Sequence, residues 1–89
     1  MNSIEMKEKI EEENPDALFA DGYDEALVAV GHRFGLPPLA VYNTKTIITL
    51  LMTKDGMTYD EAVEHFSFNI IGAGMGENTP IFLETEESI

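Results

Sequence analysis

The amino-acid sequence predicts a small α+β domain: a mainly antiparallel sheet of three to four strands, a tandem helix pair packed on one face, and a weak acidic helix at the N-terminus. Three observations carry that expectation. Residues 27–34 alternate with the two-residue period of a strand, and residues 39–42 form a second short apolar run behind two prolines. Residues 44–54 and 58–70 carry apolar residues at helical spacing on either side of Asp55-Gly56. A glycine-rich turn at residues 72–76 then leads into a last apolar run at 80–84. With 89 residues and 44% apolar content, the chain has the size and composition of one modestly stable globular domain. The expected organisation is an acidic segment at residues 1–16, helical or frayed, an α+β domain at 17–84, and an acidic tail at 85–89.

At the N-terminus Ser3 is the expected N-cap of a helix whose few apolar residues are Ile4, Met6 and Ile10. Met6 and Ile10 share a face, but Glu11, Glu12 and Glu13 crowd the C-terminal end and oppose the macrodipole. Such a helix is expected to be marginal, frayed or ordered only on a partner. Asn14-Pro15-Asp16 marks a break. Residues 17–20 are a short apolar run ending at the turn signal Asp21-Gly22-Tyr23-Asp24, between two expected strands. In the next strand Val28, Val30, His32 and Phe34 fall on one face, with Leu27, Ala29, Gly31 and Arg33 on the other. A helix competes here because Asp24-Glu25-Ala26-Leu27 is helix-compatible, but the β-branched content and Gly31 favour a strand. Gly35-Leu36-Pro37-Pro38 reads as a loop, since two prolines cannot continue a central strand.

Asn43 or Thr44 caps a helix reaching about Lys54, with Ile47, Ile48, Leu50, Leu51 and Met52 as a broad apolar face. Asp55-Gly56 stops it. Thr58 and Glu61 make a capping box, and Tyr59, Ala62, Val63, Phe66 and Ile70 follow as a buried stripe. Gly72 is the expected C-cap, and the chain returns hairpin-like to a strand at residues 80–84.

Composition limits the chemistry. There is no cysteine, which removes disulfides, thiolate catalysis and Cys-type zinc sites and suits a reducing cytoplasm. No apolar run approaches the ~20 residues that span a bilayer, and the acidic, interrupted N-terminus is unlike a signal peptide. The expected location is therefore the cytoplasm. Seventeen acids stand against 5 bases, a net charge of −12. Such a surface disfavours direct nucleic-acid or membrane binding and favours basic partners, although solubility alone is the plainer reason for it. The acids concentrate at the ends: Glu5, Glu8, Glu11, Glu12, Glu13 and Asp16 at one, Glu84, Glu86 and Glu87 at the other.

The candidate sites each have a plain competitor. His65 lies one turn after Glu61 and one turn before Asn69, as a general-base or ligand triplet would, and as an ordinary solvated helix edge would too. His32 and His65 would bind zinc with Asp21 or Asp24 only if the fold gathered them, and the spacing does not require that. No cofactor is expected. Residues 72–76 resemble a phosphate-cradling loop, but they follow a helix, and no lysine follows them. Residues 21–25 have calcium-like acids without the twelve-residue ligand spacing, so a turn is the better reading. Tyr23, Tyr42, Tyr59 and Phe68 are aromatic candidates for a recognition patch, Phe68 above all because it lies off the stripe of its helix.

Across residues 17–83, the runs Asp21-Gly22-Tyr23-Asp24, Asp55-Gly56-Met57-Thr58, Phe66, Phe68-Asn69, Gly72-Ala73, Gly76-Glu77 and Thr79-Pro80 resemble a group of small uncharacterised proteins of bacteriophages and bacteria. The chain departs from them at Gly74 and Met75, where those proteins carry a bulky aromatic and a smaller branched residue. The resemblance brings no catalytic residue with it. It implies a setting, that of a phage-type host-takeover or anti-defence factor acting by binding.

The first functional expectation is a non-enzymatic interaction protein whose acidic surface engages a basic host protein, one with a nucleic-acid-binding groove among the candidates. The residues expected to carry it are Glu5, Glu8, Glu11, Glu12, Glu13, Asp21, Asp24, Glu61, His65, Phe68 and Asn69. The alternative is a small-ligand-binding or sequestering module, oligomeric if protomers pool their few cations. A non-catalytic accessory domain is the plainest third. A homodimer through the sheet edge or the apolar breadth of residues 47–52 is compatible with each.

Overall fold

The computed structural model describes residues 1–71 and 76–85. Along the chain come α1 (Ser3–Glu13), a 3₁₀ turn (Asp24–Ala26), β1 (Leu27–Arg33), β2 (Leu36–Asn43), α2 (Thr44–Lys54), α3 (Tyr59–His65), a π-helical turn (Phe66–Ile71) and β3 (Ile81–Leu83). The strands form a three-stranded sheet in the order β1-β2-β3. Met6 and Ile10 of α1, four residues of α2, and Ala62 and Phe66 share one core with Leu27, Ala40 and Tyr42 of the sheet, so the helices lie on one face. The α+β class read from the periodicities is the class observed.

β1 and β2 are antiparallel, whereas β3 lies parallel to β2. This corrects the hairpin-like return expected for the last strand. A parallel neighbour requires a crossover, and α2 with α3 supplies it. The prolines are corrected as well: β2 begins at Leu36, because the connection is only Phe34-Gly35, with Gly35 at φ 72°. The register passes from Arg33↔Leu36 to Gly31↔Leu39, so Pro37 and Pro38 fall in an irregularity where their missing N–H groups interrupt no ladder. Arg33 clamps this corner, donating from Nε and Nη2 to the Pro37 carbonyl (3.1 and 2.6 Å) and from Nη1 to the Glu77 carbonyl (3.1 Å).

The N-terminal helix forms over Ser3–Glu13 with Met6 and Ile10 on its buried face, as the sequence places them, and only its cap is corrected. Its cap is Asn2, whose Oδ1 accepts from Glu5 N at 2.9 Å, with Ser3 already in the first turn. Ile10 is 0% exposed and Met6 also belongs to the core. Full burial of such side chains is worth about 1.5–3 kcal/mol each, which outweighs the adverse charge at the helix end. Asn14, readable only as a break, is a buried staple: its Nδ2 donates to the Pro38 carbonyl (2.9 Å) and to Asn78 Oδ1 (3.0 Å). Residues 17–20 form no strand. Leu18 N donates to the Asn78 carbonyl (3.1 Å) and Ala20 N to the Tyr42 hydroxyl (2.9 Å), while Phe19 packs on the core.

α2 is capped by Asn43, whose Oδ1 accepts from Thr46 N (3.0 Å), and it ends at Asp55 before Gly56 at φ 68°. The Thr58/Glu61 capping box is present in both directions. The stripe that follows is only partly buried. Ala62 and Phe66 are in the core and Ile70 is packed against it, but Tyr59 and Val63 are exposed. α2 already fills the core beside the sheet, so only one line of α3 finds cover. The expected stop at Gly72 lies outside the described residues.

On the outer side of the sheet, Gly31 permits a close approach. A Cβ there would stand 2.9 Å from Val41 Cγ2 and 3.3 Å from Ile81 Cδ1. Val41 is branched at Cβ and does not swing aside cheaply. Gly31→Val is therefore expected to cost about 1–3 kcal/mol, read from urea midpoints, and Val41→Ala in the same chain should recover part of it. An equal loss in both backgrounds would refute the contact.

Candidate functional site

Charge is segregated along the chain and hence in space. Residues 26–54 contain no Asp or Glu and hold Arg33, Lys45 and Lys54. Among the described residues the acids lie on α1, on the 3₁₀ turn and its approach, on α3 and in the connecting segments.

On α1 the periodicity that turns Met6 and Ile10 inward leaves Glu5, Glu8, Glu11, Glu12 and Glu13 exposed. Glu8, Glu11 and Glu12 together border a shallow depression on the outside of the helix. The two ion pairs among the described residues use other acids. Lys7 Nζ meets Asp24 Oδ1 at 2.8 Å and lies 5.3 Å from the centre of the Phe19 ring, and Lys54 Nζ meets Glu25 Oε1 at 2.6 Å. The hydrogen-bonded Asp24 carboxylate raises the Lys7 ammonium above the usual lysine range, against the opposing effect of burial. Asp24 is thus occupied in tying α1 to the 3₁₀ turn, whereas Asp21 stands exposed beside Gly22 at φ 91°. The residues 21–25 are a turn whose last two acids are held by lysines.

The expected triplet on α3 separates into two roles. Glu61 Oε1 accepts from Thr58 N at 2.9 Å, and this backbone hydrogen bond, with the Thr58 side chain second, lowers its carboxyl below the usual range. His65 Nδ1 and Asn69 Nδ2 are 3.3 Å apart, a polar pair one turn long. Glu61 therefore caps its helix and makes no hydrogen bond to His65. Phe68, 74% exposed, stands beside His65 on the π turn. Among the described residues no three His, Asp or Glu side chains converge as a metal would require, so the structure does not bring His32 and His65 together with Asp21 or Asp24. Of the loop at 72–76, only Gly76 is described.

A further concavity lies elsewhere among the described residues. A groove of about 540 Å³ runs between α2 and α3, with Ile48 and Phe66 as its buried floor and Met52, Tyr59, Val63 and Ile71 as exposed walls. Thr44 and Lys45 stand at one end beside Glu84 and Thr85. The sequence places Tyr59, Val63 and Phe66 in a buried stripe and Ile48 and Met52 on a broad apolar face, offers Tyr59 for a recognition patch and residues 47–52 for a homodimer, and does not single out the groove or Ile71. Their signal was a surplus: two adjacent helices with apolar faces broader than one three-stranded sheet can cover.

No protein family, curated protein or solved structure matches the chain. Among the described residues no helix is long and apolar enough to cross a membrane.

Proposed function

We propose that this is a non-enzymatic acidic interaction protein of phage type, acting in the host cytoplasm by binding a basic host protein and inhibiting or redirecting it. The observation that supports this reading is the ordered acidic ridge of α1. Because Met6 and Ile10 anchor the helix to the core, its five exposed glutamates are held in place before any encounter. A partner then meets a fixed negative surface without the cost of ordering it. Such a surface steers a basic groove, including one that holds nucleic acid, and makes association sensitive to salt.

The test is affinity capture from the natural host with the full chain and with a Glu8→Lys/Glu11→Lys/Glu12→Lys variant. The expected result is a discrete basic protein retained at low salt, released at high salt, and captured by the variant at a rate lower by about tenfold or more. No such protein, or one that the variant binds equally well, would sink the reading. The groove favours a second reading as a small-ligand module, since its volume of about 540 Å³ is in the range of ligand sites. A thermal-shift screen with nucleotides and small apolar acids separates the two.

A further inference from the structure

We propose that a cleft between residues 18–23 and the π-helical turn receives an arginine side chain of the basic partner. This inference rests on the reading that the partner is basic, and it adds the anchor by which that partner is held.

The cleft is assembled from three distant parts of the chain. Leu18 and Phe19 come from the segment after α1, Asn69 and Ile70 from the π turn, and Pro80 and Phe82 from the start of β3 and the residue before it. Its volume is about 300 Å³, at the small end of ligand sites. The first wall is fixed without an occupant, because Leu18 N donates to the Asn78 carbonyl at 3.1 Å and Ala20 N to the Tyr42 hydroxyl at 2.9 Å. Leu18 is nevertheless 45% exposed, so its apolar surface is open to a visiting side chain.

Charge selects a cation. Asp21 lines the cleft, and no Lys, Arg or His is among the lining residues. Lys7 feels the Asp21 charge through space, but its hydrogen bond and its ion pair are with Asp24. Among the described residues the Asp21 carboxylate therefore has no hydrogen-bond or ion-pair partner. Asn69 supplies a second acceptor. Its Nδ2 lies 3.3 Å from His65 Nδ1, which leaves Oδ1 without a partner among the described residues. A carboxylate and an amide oxygen at one apolar cleft favour a cationic donor and repel Asp or Glu.

The rest of the lining selects arginine. Phe19, Tyr23 and Phe82 bring aromatic rings to the cleft. A guanidinium is planar and weakly hydrated, stacks on ring faces, and donates to two acceptors at once, while its aliphatic stem packs on apolar walls. A lysine ammonium is a strongly hydrated point charge and gains less from such walls. The neighbourhood already holds one cation between a carboxylate and a ring, since Lys7 Nζ meets Asp24 at 2.8 Å and lies 5.3 Å from the centre of the Phe19 ring.

The experiment titrates the isotope-labelled full chain with acetyl-arginine amide, acetyl-lysine amide and acetyl-norleucine amide at constant ionic strength, followed by NMR. The arginine probe should give saturable shifts centred on the amides of residues 18–23, 69 and 70. The lysine probe should bind several-fold more weakly, and the norleucine probe, an uncharged stem, should not saturate. Asp21→Asn, at an exposed turn position, should weaken the arginine probe by about tenfold with far-UV circular dichroism unchanged. Glu11→Gln removes one exposed carboxylate from α1 and should change binding by less than about twofold. The inference is overturned if the arginine probe does not saturate, if norleucine or lysine binds as well, or if Glu11→Gln costs as much as Asp21→Asn. A basic host protein captured equally by wild type and Asp21→Asn removes the cleft as anchor and leaves the acidic interaction standing. Arginine-probe binding with no basic host protein in the affinity capture overturns the partner and leaves a site for a free guanidinium compound.

Discussion

Replacement of Ile10 by alanine is expected to lower the unfolding free energy by about 2–5 kcal/mol. Ile10 is 0% exposed and sits in the same core as Tyr42, Ile47 and Leu51. The loss combines the transfer free energy of the deleted carbons with a cavity that the sheet beneath cannot easily close. A domain of this size is stable by only about 0.05–0.15 kcal/mol per residue, so the change consumes a large part of the whole. The control is on the same helix. Ile4 is 66% exposed, and Ile4→Ala should change stability by no more than about 0.5 kcal/mol. Urea unfolding followed by far-UV circular dichroism measures both. If the two variants unfold at the same midpoint, α1 is not part of the cooperative unit, and the fixed acidic ridge goes with it.

Tyr42 is the other large effect. Its ring is fully buried and stacks on Phe82 at 5.9 Å, and Phe66 meets Phe82 edge-on at 5.4 Å. Its hydroxyl accepts the Ala20 N–H at 2.9 Å, fastening residues 17–20 to the central strand. Tyr42→Ala should cost about 3–5 kcal/mol, as loss of a buried ring does. Tyr42→Phe keeps the ring and deletes only the acceptor, for about 0.5–1.5 kcal/mol.

A pH profile separates the hydroxyl further. Burial raises the Tyr42 phenol above its ordinary 10.0, with the Ala20 hydrogen bond acting the other way. The folded state therefore holds the proton that the unfolded chain releases first. The contribution to stability is complete below pH 10.0 and is lost as pH rises through the folded value. Tyr23 is raised in the same sense, also chiefly by burial, so Tyr42→Phe should flatten the alkaline fall without abolishing it. An alkaline slope identical in wild type and Tyr42→Phe would refute the assignment.

Much of the fold was legible because the signals were local. The Thr58/Glu61 box, the Asp55-Gly56 stop and the Asn43 cap each satisfy backbone groups within a few residues. The strand assignment of residues 27–33 over a competing helix likewise rested on the side chains themselves. Less of the candidate site was legible. The exposure of Glu5, Glu8, Glu11, Glu12 and Glu13 followed from charge, but their order did not, because it depends on Ile10 finding a core built from residues far along the chain. Asp24 reads as a free surface acid, yet it is taken by Lys7, whereas the capping role of Glu61 was legible and competes with its place among the binding acids.

The groove shows the division most plainly. Periodicity places Tyr59 and Val63 on the apolar side of α3, and it does so correctly. Whether that side is covered depends on how much sheet there is to cover it and on how α2 has already used it. The sheet has three strands, the last of them only three residues long and joined in parallel by the crossover, and among the described residues Tyr59 and Val63 stay exposed beside the α2–α3 seam. Helix and strand identity, caps and stops come from neighbours in sequence, where steric and hydrogen-bond preferences act within one or two turns. Burial, sheet order, and the roles of Asn14 and the two prolines come from contacts such as Asn14 with Pro38 and Asn78. No local preference encodes those contacts, because their free energy exists only once distant segments have met.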